Sequence, residues 1–304
     1  MKWDDLRVFL EVARQGSVHS AAKRLSLDHS TVCRRIGKLE SRLSLKQLER
    51  TPRGVVVRPE AKTLLKHIRE MENQAVSLEE KAAPATSEAA QTVRIATMEG
   101  IASCYLARRI PTLARSHSKV QIELVSIPQT VDLSRREADI FLSFFNPNSR
   151  GLKSNLFGRF ALHLYCAPDY LRRHGEPSDI EDLQHHTYVG YIDDLLAIHA
   201  VRWLDEVVTS PRMGFRSNSI LAQRNAAVGG MGIVLLPTFV AAGESGLVRL
   251  LPDKVSVRRE IWVSVRTEQS HLSRIKTALQ FLKKTIADDA DFLNGKTDVL
   301  ETSR

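Results

Sequence analysis

A cluster of polar and basic side chains near residue 33 has the composition that binding to a phosphate backbone requires. The cluster consists of His29, Ser30, Thr31, Cys33, Arg34, Arg35 and Lys38. On a helix that begins after Asp28, the polar residues lie at the amino end, where side chains can reach base edges while backbone N–H groups face phosphate. The pattern favours a DNA recognition helix, and a helical hairpin with a solvated basic face is the alternative.

Few side chains are spaced for catalysis. His163 and Cys166 are three residues apart, so on a strand they point to opposite faces and do not form a nucleophile–base pair. His185 and His186 lack the further ligands that a metal site needs. The run 229–232 lacks the Lys-Ser/Thr of a phosphate loop and precedes a predicted strand. We therefore expect no catalytic residues, no metal site, no cofactor and no enzymatic activity.

The positive charge of the chain is concentrated at one end. Of the net charge of +9, residues 1–70 carry +8, from 16 Lys and Arg against 8 Asp and Glu. This asymmetry is typical of a nucleic-acid-binding domain joined to a nearly neutral remainder. The uncharged run 225–243 is interrupted by four glycines and a proline, and the N-terminus has no leader pattern. We expect a cytoplasmic protein without a membrane segment.

Two short helices within residues 17–43 would position the basic cluster. Ser17 is a suitable N-cap for the first helix, because its hydroxyl can accept a hydrogen bond from a free backbone N–H. The second helix carries an apolar stripe at three- and four-residue spacing: Val32, Ile36, Leu39 and Leu43. Burial of this stripe would turn the basic side chains outward.

A wing is predicted after the second helix. Residues 51–54 have the composition of a turn, and the β-branched run 55–57 fits a short strand. A hairpin here would place Arg50 and Arg53 beside phosphates or a minor groove. A surface turn with solvated arginines is the alternative.

Residues 59–83 predict a long helix with a narrow apolar seam. The seam consists of Ala61, Leu64, Ile68, Met71, Ala75 and Leu78, at three- and four-residue spacing. A helix cannot bury such a stripe against itself, so we expect a partner helix and a dimer. Packing on the C-terminal part of the same chain is the alternative.

The small, polar, proline-containing segment 84–92 is predicted to be a hinge.

The N-terminal residues also match a known pattern. The matching residues are Phe9, Val12, Ala13, Gly16, Ser17, Ala21, Ala22, Leu25, Val32, Arg34, Ile36, Leu39 and Glu40, continued by Arg50, Arg53 and Gly54. In these residues the chain resembles the LysR-type transcriptional regulators, although His29 and Cys33 stand where that family usually has Gln and Ser. The resemblance implies a winged helix-turn-helix at 1–58 and a dimerising linker helix at 59–83.

A redox role for Cys33 beside Arg34 is an alternative to simple packing.

From residue 93 the sequence alternates strands with helices. Strands are predicted at 93–96, 120–127, 139–145, 162–167, 233–236 and 260–266, and helices near 102–116, 132–138, 168–174, 178–183, 219–228 and 272–286. This alternation predicts an α/β domain with a mainly parallel sheet. The motifs at 93–95, 138–140 and 228–237 resemble the LysR effector domain, which implies a periplasmic-binding-protein-like fold of two α/β lobes over 93–286. The polar tail 287–304 is predicted to be disordered.

A cleft between two such lobes would bind a ligand where strands end and helices begin. The polar residues at these junctions are Thr97, Glu99, Ser103, Gln129, Ser143 and Asn218. Helix N-termini favour anions, so a small carboxylate is the expected effector, whereas Glu99 itself would rather meet a cation or a hydrogen-bond donor. Each of these residues could instead cap a helix.

The resemblance and the residues together predict a sequence-specific DNA-binding transcriptional regulator. Its geometry on double-stranded DNA would be modulated by a small-molecule effector in the C-terminal cleft. It would act as a homodimer or homotetramer, with RNA polymerase as a further partner. The alternative is a ligand-independent DNA-binding regulator whose C-terminal domain serves only oligomerisation.

Overall fold

The chain folds into two compact units, one extending to residue 87 and the other beginning at residue 88. The computed structural model describes residues 2–43, 46–51, 54–82, 91–127, 138–147, 149, 151–195, 203–297 and 300. Each unit has its own apolar core. None of the described helices combines the length and apolarity that crossing a bilayer requires.

The N-terminal unit packs four helices against a two-stranded hairpin. They are α1 (Trp3–Gln15), α2 (Val18–Leu25), α3 (His29–Leu43), β1 (Leu48–Thr51), β2 (Gly54–Val57) and α4 (Lys62–Ala82). The predicted cap of α2 is confirmed, because Ser17 Oγ accepts a hydrogen bond from the Ser20 backbone N–H at 3.3 Å. Gly16 ends α1 in the left-handed conformation, with φ of 60°.

The apolar stripe of α3 is buried, as predicted. Val32 and Ile36 pack in a cluster with Val8 and Val12 of α1 and with the small residues of α2. Leu39 joins a second cluster on the other side of α1. Because α3 contacts the core along this stripe, its remaining faces are left to solvent.

The first turns of α4 pack inside the N-terminal unit, so the prediction that the whole seam meets a partner helix is wrong. Ala61 and Ile68 are each 1% exposed and belong to a cluster with Phe9 and other apolar residues of α1. The second half of the seam is different, since Met71 is 47% and Leu78 is 67% exposed. Among the described seam residues, Met71 and Leu78 are therefore available to another molecule.

The C-terminal unit is an α/β structure. Its strands are β3 (Gln91–Met98), β4 (Val120–Ile127), β5 (Ile140–Ser143), β6 (Leu152–Cys166), β7 (Thr187–Gly190), β8 (Arg212–Arg216), β9 (Ile233–Pro237), β10 (Val248–Leu250) and β11 (Val257–Arg266). Its helices are α5 (Glu99–Ile101), which continues as a π-helical turn, α6 (Ala107–Ser116), α7 (Pro168–His174), α8 (Ile220–Val228), α9 (Thr238–Ala241), α10 (Ser273–Asp288) and α11 (Ala290–Leu293).

The sheet of this unit is mixed, not mainly parallel as predicted. Its order is β4-β3-β5-β11-β6-β9-β7-β8, with β10 beside β6. Parallel pairs occur at both ends, β3 with β4 and β5, and β7 with β8 and β9. The long strands β6 and β11 pair antiparallel in the centre and join the two ends. The two ends form the two lobes, so the two-lobed α/β fold is confirmed.

Several predicted boundaries differ from the structure. Gln91 and Thr92 belong to β3 rather than to the hinge, and the predicted helix at 178–183 is replaced by the 3-10 turn Glu181–His185. The strands β8 and β10 and the first half of β6 were not predicted. Exposed residues interrupt the apolar runs in β8 and in the first half of β6, and β10 has only three residues. The rest of the hinge, at 84–90, and the predicted helix at 132–138 fall mainly outside the described residues.

The start of the predicted disordered tail is folded onto the C-terminal unit, so that prediction is wrong for residues 287–297. Phe292 and Leu293 are buried in the core. Asp289 forms a buried ion pair with Arg109 of α6 and accepts a hydrogen bond from the Tyr105 hydroxyl at 2.9 Å. These few anchoring side chains could not be recognised in the sequence because most of the segment is polar.

The anchoring of α11 predicts a cost for truncating its core residue. We expect Phe292→Ala to lower the free energy of unfolding by about 3–5 kcal/mol, because it removes a buried aromatic ring and leaves a cavity. The exposed Lys296→Ala serves as the control and should change it by less than about 0.5 kcal/mol. Chemical denaturation measures both, and equal stabilities would contradict the structural role of the segment.

Candidate nucleic-acid interface and effector cavity

The outer face of α3 presents the predicted contact residues in one row. Ser30, Arg34 and Lys38 are exposed and four residues apart, so they lie one above another on the helix. His29, at the start of the helix, is also exposed, whereas Thr31 and Cys33 are half-buried. The structure therefore places Ser30, Arg34 and Lys38 on one solvent-facing surface, and DNA contact by the whole cluster stays a prediction.

Three members of the cluster have partners within the N-terminal unit. Arg35 is half-buried, and its Nη1 lies 3.5 Å from Oδ2 of Asp4 in α1. Cys33 Sγ lies 3.8 Å from Nδ1 of His29. Arg34 and Lys38 are the more exposed cations of this surface and so have more freedom to approach a phosphate.

The predicted wing is present as the β1–β2 hairpin, in which Thr51 pairs with Gly54. Arg50 lies on β1 opposite Val55, and Arg53 lies outside the described residues. The Val55 backbone N–H donates to the Gly16 carbonyl at 2.7 Å. Gly54 has φ of 122°, and an added Cβ would lie 2.5 Å from the same carbonyl oxygen. Only glycine allows the hairpin to approach the α1–α2 turn this closely.

Glu40 fixes the other end of the wing to α3. Its Oε1 accepts hydrogen bonds from the backbone N–H groups of Gln47, at 2.8 Å, and Leu48, at 3.3 Å. Glu40 thus holds α3 and the wing together. A change in the position of one would move the other.

The C-terminal unit contains a cavity of about 210 Å³ between its two lobes. Its lining residues come from the ends of β3, β4, β5, β7 and β9 and from the starts of α5, α8 and α9. They are Met98, Glu99, Gly100, Ile101, Ser126, Phe144, Tyr191, Trp203, Asn218, Ser219, Ile220, Pro237 and Phe239. The wall is thus largely apolar and aromatic, with a few polar groups, as is usual for small-molecule sites.

Two of the predicted effector residues, Glu99 and Asn218, line this cavity. Thr97 is fully buried and donates a hydrogen bond to the Leu142 carbonyl at 3.1 Å. Ser143 is also buried and donates to the Phe145 carbonyl at 2.6 Å. The Thr97 hydroxyl thus joins two strands of the sheet and the Ser143 hydroxyl bonds to the bend after β5, so neither lines the cavity as predicted.

Of the other two predicted effector residues, only Ser103 lies within the described structure. Ser103 is exposed and does not line the cavity, so the prediction that it binds the effector there was also wrong. Gln129 lies outside the described residues.

Sequence reasoning missed most of the aromatic wall. Ser126 and Phe144 are each close in sequence to a predicted position, and the alternation of side chains along the strands could have identified them. Tyr191 follows directly after β7, where the same junction rule applies. Trp203 has no such signal, because it lies in a 3-10 turn far from any predicted strand end.

Glu99 crosses from one lobe to the other. It begins α5, directly after β3, and its carboxylate accepts two hydrogen bonds at the start of α8. Ser219 Oγ donates to Oε1 at 3.0 Å, and the Ile220 backbone N–H donates to Oε2 at 3.0 Å. Ser219 Oγ also caps α8 by accepting from the Ala222 N–H at 3.2 Å. The two lobes are therefore linked by a charged hydrogen-bonded contact at the cavity wall.

Protonation also disfavours His163 and Cys166 as a catalytic pair. Burial raises the pKa of the Cys166 thiol to about 12. Burial likewise lowers the pKa of His163, and the nearby Arg249 lowers it further. Both shifts oppose a thiolate–imidazolium pair. Among the described residues, no three His, Cys, Asp or Glu side chains are grouped so that they could hold a metal ion.

Two family models match the chain and together span most of it. Residues 3–62 match the bacterial regulatory helix-turn-helix protein of the lysR family, and residues 86–287 match the LysR substrate binding domain. The first match contains the α3 surface, and the second contains the cavity.

Individual proteins show the same likeness at low identity. The Mau operon transcriptional activator of Paracoccus denitrificans is 25% identical over 267 residues, covering 86% of this chain and 89% of that protein. The structure of ArgP from Mycobacterium tuberculosis has a TM-score of 0.68 at 16% identity, covering 92% of this chain and 95% of that one. The structure of CrgA, a LysR-type regulator from Neisseria meningitidis, has a TM-score of 0.56 at 21% identity, with 93% and 98% covered.

The α3 surface predicts a specific loss in an Arg34→Ala variant. We expect binding to double-stranded DNA to weaken by about 1–3 kcal/mol, because an exposed cation of the recognition helix is removed. Arg172→Ala, which removes an exposed arginine of the C-terminal unit, is the control. Fluorescence anisotropy measures the affinities, and light scattering checks that oligomerisation is unchanged. An Arg34→Ala affinity equal to that of the control would show that this face does not contact DNA.

Proposed function

Because the chain belongs to the LysR family of transcriptional regulators, we propose that it is a sequence-specific DNA-binding regulator whose geometry on DNA responds to a small molecule in the interlobe cavity. Ligand-responsive regulation is typical of this family. The proposal assigns DNA binding to the N-terminal unit and effector binding to the C-terminal unit.

The observation that carries the DNA-binding half of the proposal is the division of α3 into two faces. One face is fixed in the core by Val32, Ile36 and Leu39, and the opposite face presents Arg34 and Lys38. A helix held in this way can enter the major groove without losing its packing. The concentration of positive charge in residues 1–70 supports the same assignment.

We assign dimerisation to the outer half of α4. Met71 and Leu78 are large apolar side chains that are exposed in the single chain, and a second copy of the helix could cover them. A dimer would place two α3 helices on two half-sites of one operator. Assembly into a tetramer and contact with RNA polymerase are further parts of the proposal.

The cavity supports an effector role over the ligand-independent alternative. An empty space of about 210 Å³ with an aromatic wall and a charged group is suited to a small molecule, whereas a domain that only oligomerised would not need one. Such an effector must bind one arrangement of the protein more tightly than another, or it shifts nothing. We propose no enzymatic activity, and we place the protein in the cytoplasm, where a bacterial regulator meets its DNA.

The salt dependence of binding tests the DNA-binding proposal directly. We expect the protein to prefer DNA from the region upstream of its own gene over random DNA of equal length, and to keep this preference as salt rises. Base contacts would preserve the discrimination while phosphate contacts weaken. Gel shifts across a salt series measure both affinities. Equal binding to the two DNAs at every salt concentration would rule out sequence-specific recognition at that site.

The exposed half of α4 predicts a dimerisation defect in Leu78→Asp. The buried charge would oppose helix pairing, so we expect a shift from dimer toward monomer in light scattering with an unchanged circular dichroism spectrum. Thr63→Asp adds the same charge at an exposed position in the first turn of the helix, distant from Met71 and Leu78, and should leave the mass unchanged. An unchanged mass for Leu78→Asp would contradict the assignment. Ile68→Asp is unsuitable here, because Ile68 belongs to the core of the N-terminal unit.

A further inference from the structure

The amino end of α8 is built as an anion-binding site, and Glu99 already occupies it. α8 has nine residues, and its first backbone N–H groups point away from the helix, where the helix dipole favours negative charge. The Glu99 carboxylate accepts from the Ile220 N–H and from the Ser219 hydroxyl, both at 3.0 Å. These are the groups that a free carboxylate would use at the same place.

The neighbouring backbone holds Glu99 in position. Gly100 follows it, and an added Cβ there would lie 3.0 Å from Val240 Cγ2 and 3.2 Å from Ile220 Cγ2. The start of α5 is therefore in close contact with α8 and α9 of the other lobe. In this arrangement of the lobes the Glu99 carboxylate reaches the amino end of α8.

We propose that Glu99 is the resident anion of the α8 terminus, so that the cavity selects a neutral or cationic small molecule with an apolar body over a carboxylate. This inference rests on the proposed effector role of the cavity, and it replaces the small carboxylate expected from the sequence. An acidic ligand would have to displace Glu99 or lie beside its negative charge, and both are unfavourable.

The cavity side of Glu99 offers the complementary chemistry. Each carboxylate oxygen has a second lone pair, so Glu99 can accept from a ligand N–H or O–H while it keeps its bonds to α8. Aromatic rings form the wall, and those of Phe144 and Trp203 lie 5.8 Å apart between centroids. Aromatic faces attract both apolar groups and cations.

Among the described residues, Arg259 is a cation that contacts this wall, and it has partners of its own. The Arg259 guanidinium lies 5.4 Å from the centroid of the Trp203 ring and forms an ion pair with Glu206. It is thus neutralised by an acid of the same chain. Among the described residues that line the cavity, Glu99 is the one that carries a charge.

Chemical rescue tests whether Glu99 occupies an anion site. Glu99→Ala removes the equivalent of an acetate ion and leaves the Ser219 and Ile220 donors without their acceptor. We expect the melting temperature of the full-length variant to fall and to recover with sodium acetate but not with sodium chloride. Acetate should bind the variant roughly tenfold more tightly than it binds the wild type, since two charge-assisted hydrogen bonds become available. Equal acetate effects on both proteins would overturn the proposal.

A series of ligands with one ring and three charges tests the selectivity. We expect the wild type to bind benzylammonium and benzyl alcohol more tightly than benzoate, as measured by ligand-observed NMR. Glu99→Gln keeps the shape of the side chain and removes its charge, so the ratio of benzylammonium to benzoate affinity should fall roughly tenfold. This variant also keeps the proposal testable should Glu99→Ala fail to fold.

Glu176→Gln is the matched control, because it removes the same charge from an exposed position of the same unit. Its affinity ratio should equal that of the wild type. Tighter binding of benzoate than of benzylammonium by the wild type, or an unchanged ratio in Glu99→Gln, would overturn the proposal. These measurements use no DNA, so their failure is distinct from a failure of the proposed regulatory function, which the gel shifts detect.

Discussion

The antiparallel pairing of β6 with β11 is the contact on which the C-terminal unit depends. The pairing runs from Leu152 opposite Arg266 to Leu162 opposite Val257. Beyond it, β11 also pairs with β5 of one lobe, and β6 also pairs with β9 of the other. Each lobe is therefore hydrogen-bonded to one of the two central strands, β6 and β11, and these two strands are paired with each other. These two strands connect the lobes along the sheet. Away from the sheet the lobes meet through side chains, and the interlobe cavity lies there.

Side-chain contacts also join the two lobes at the cavity. Glu99 supplies one such contact by joining the end of β3 to the start of α8. A contact made of hydrogen bonds to a charged group can be exchanged for bonds to a ligand at a smaller cost than a continuous strand pair. The cavity wall is therefore where a ligand can influence the relation between the lobes, while the sheet preserves the fold.

The N-terminal unit shows how one helix can serve two interfaces. The first turns of α4 complete the core around α1, where Arg14 and Glu72 also form an ion pair. The later turns leave Met71 and Leu78 exposed. The sequence gives both halves the same apolar spacing, and periodicity alone does not distinguish an intramolecular partner from a second copy. The position of α1 decides this, because it covers only the first half of the seam.

Local sequence determined the elements whose stabilising contacts are close along the chain. The Ser17 cap, the stripe of α3, the wing strand and the helix after Ser219 all follow from spacing and capping residues, which act within a few positions. Glu99 and Asn218 were recognised as candidates by the same junction rule. Tertiary structure decided the rest: the antiparallel centre of the sheet, the docking of α11 through Asp289, the aromatic wall at Trp203, and the partner of the Glu99 carboxylate. These depend on residues far apart in the sequence, such as Glu99 and Ile220, and only the folded chain brings such groups together.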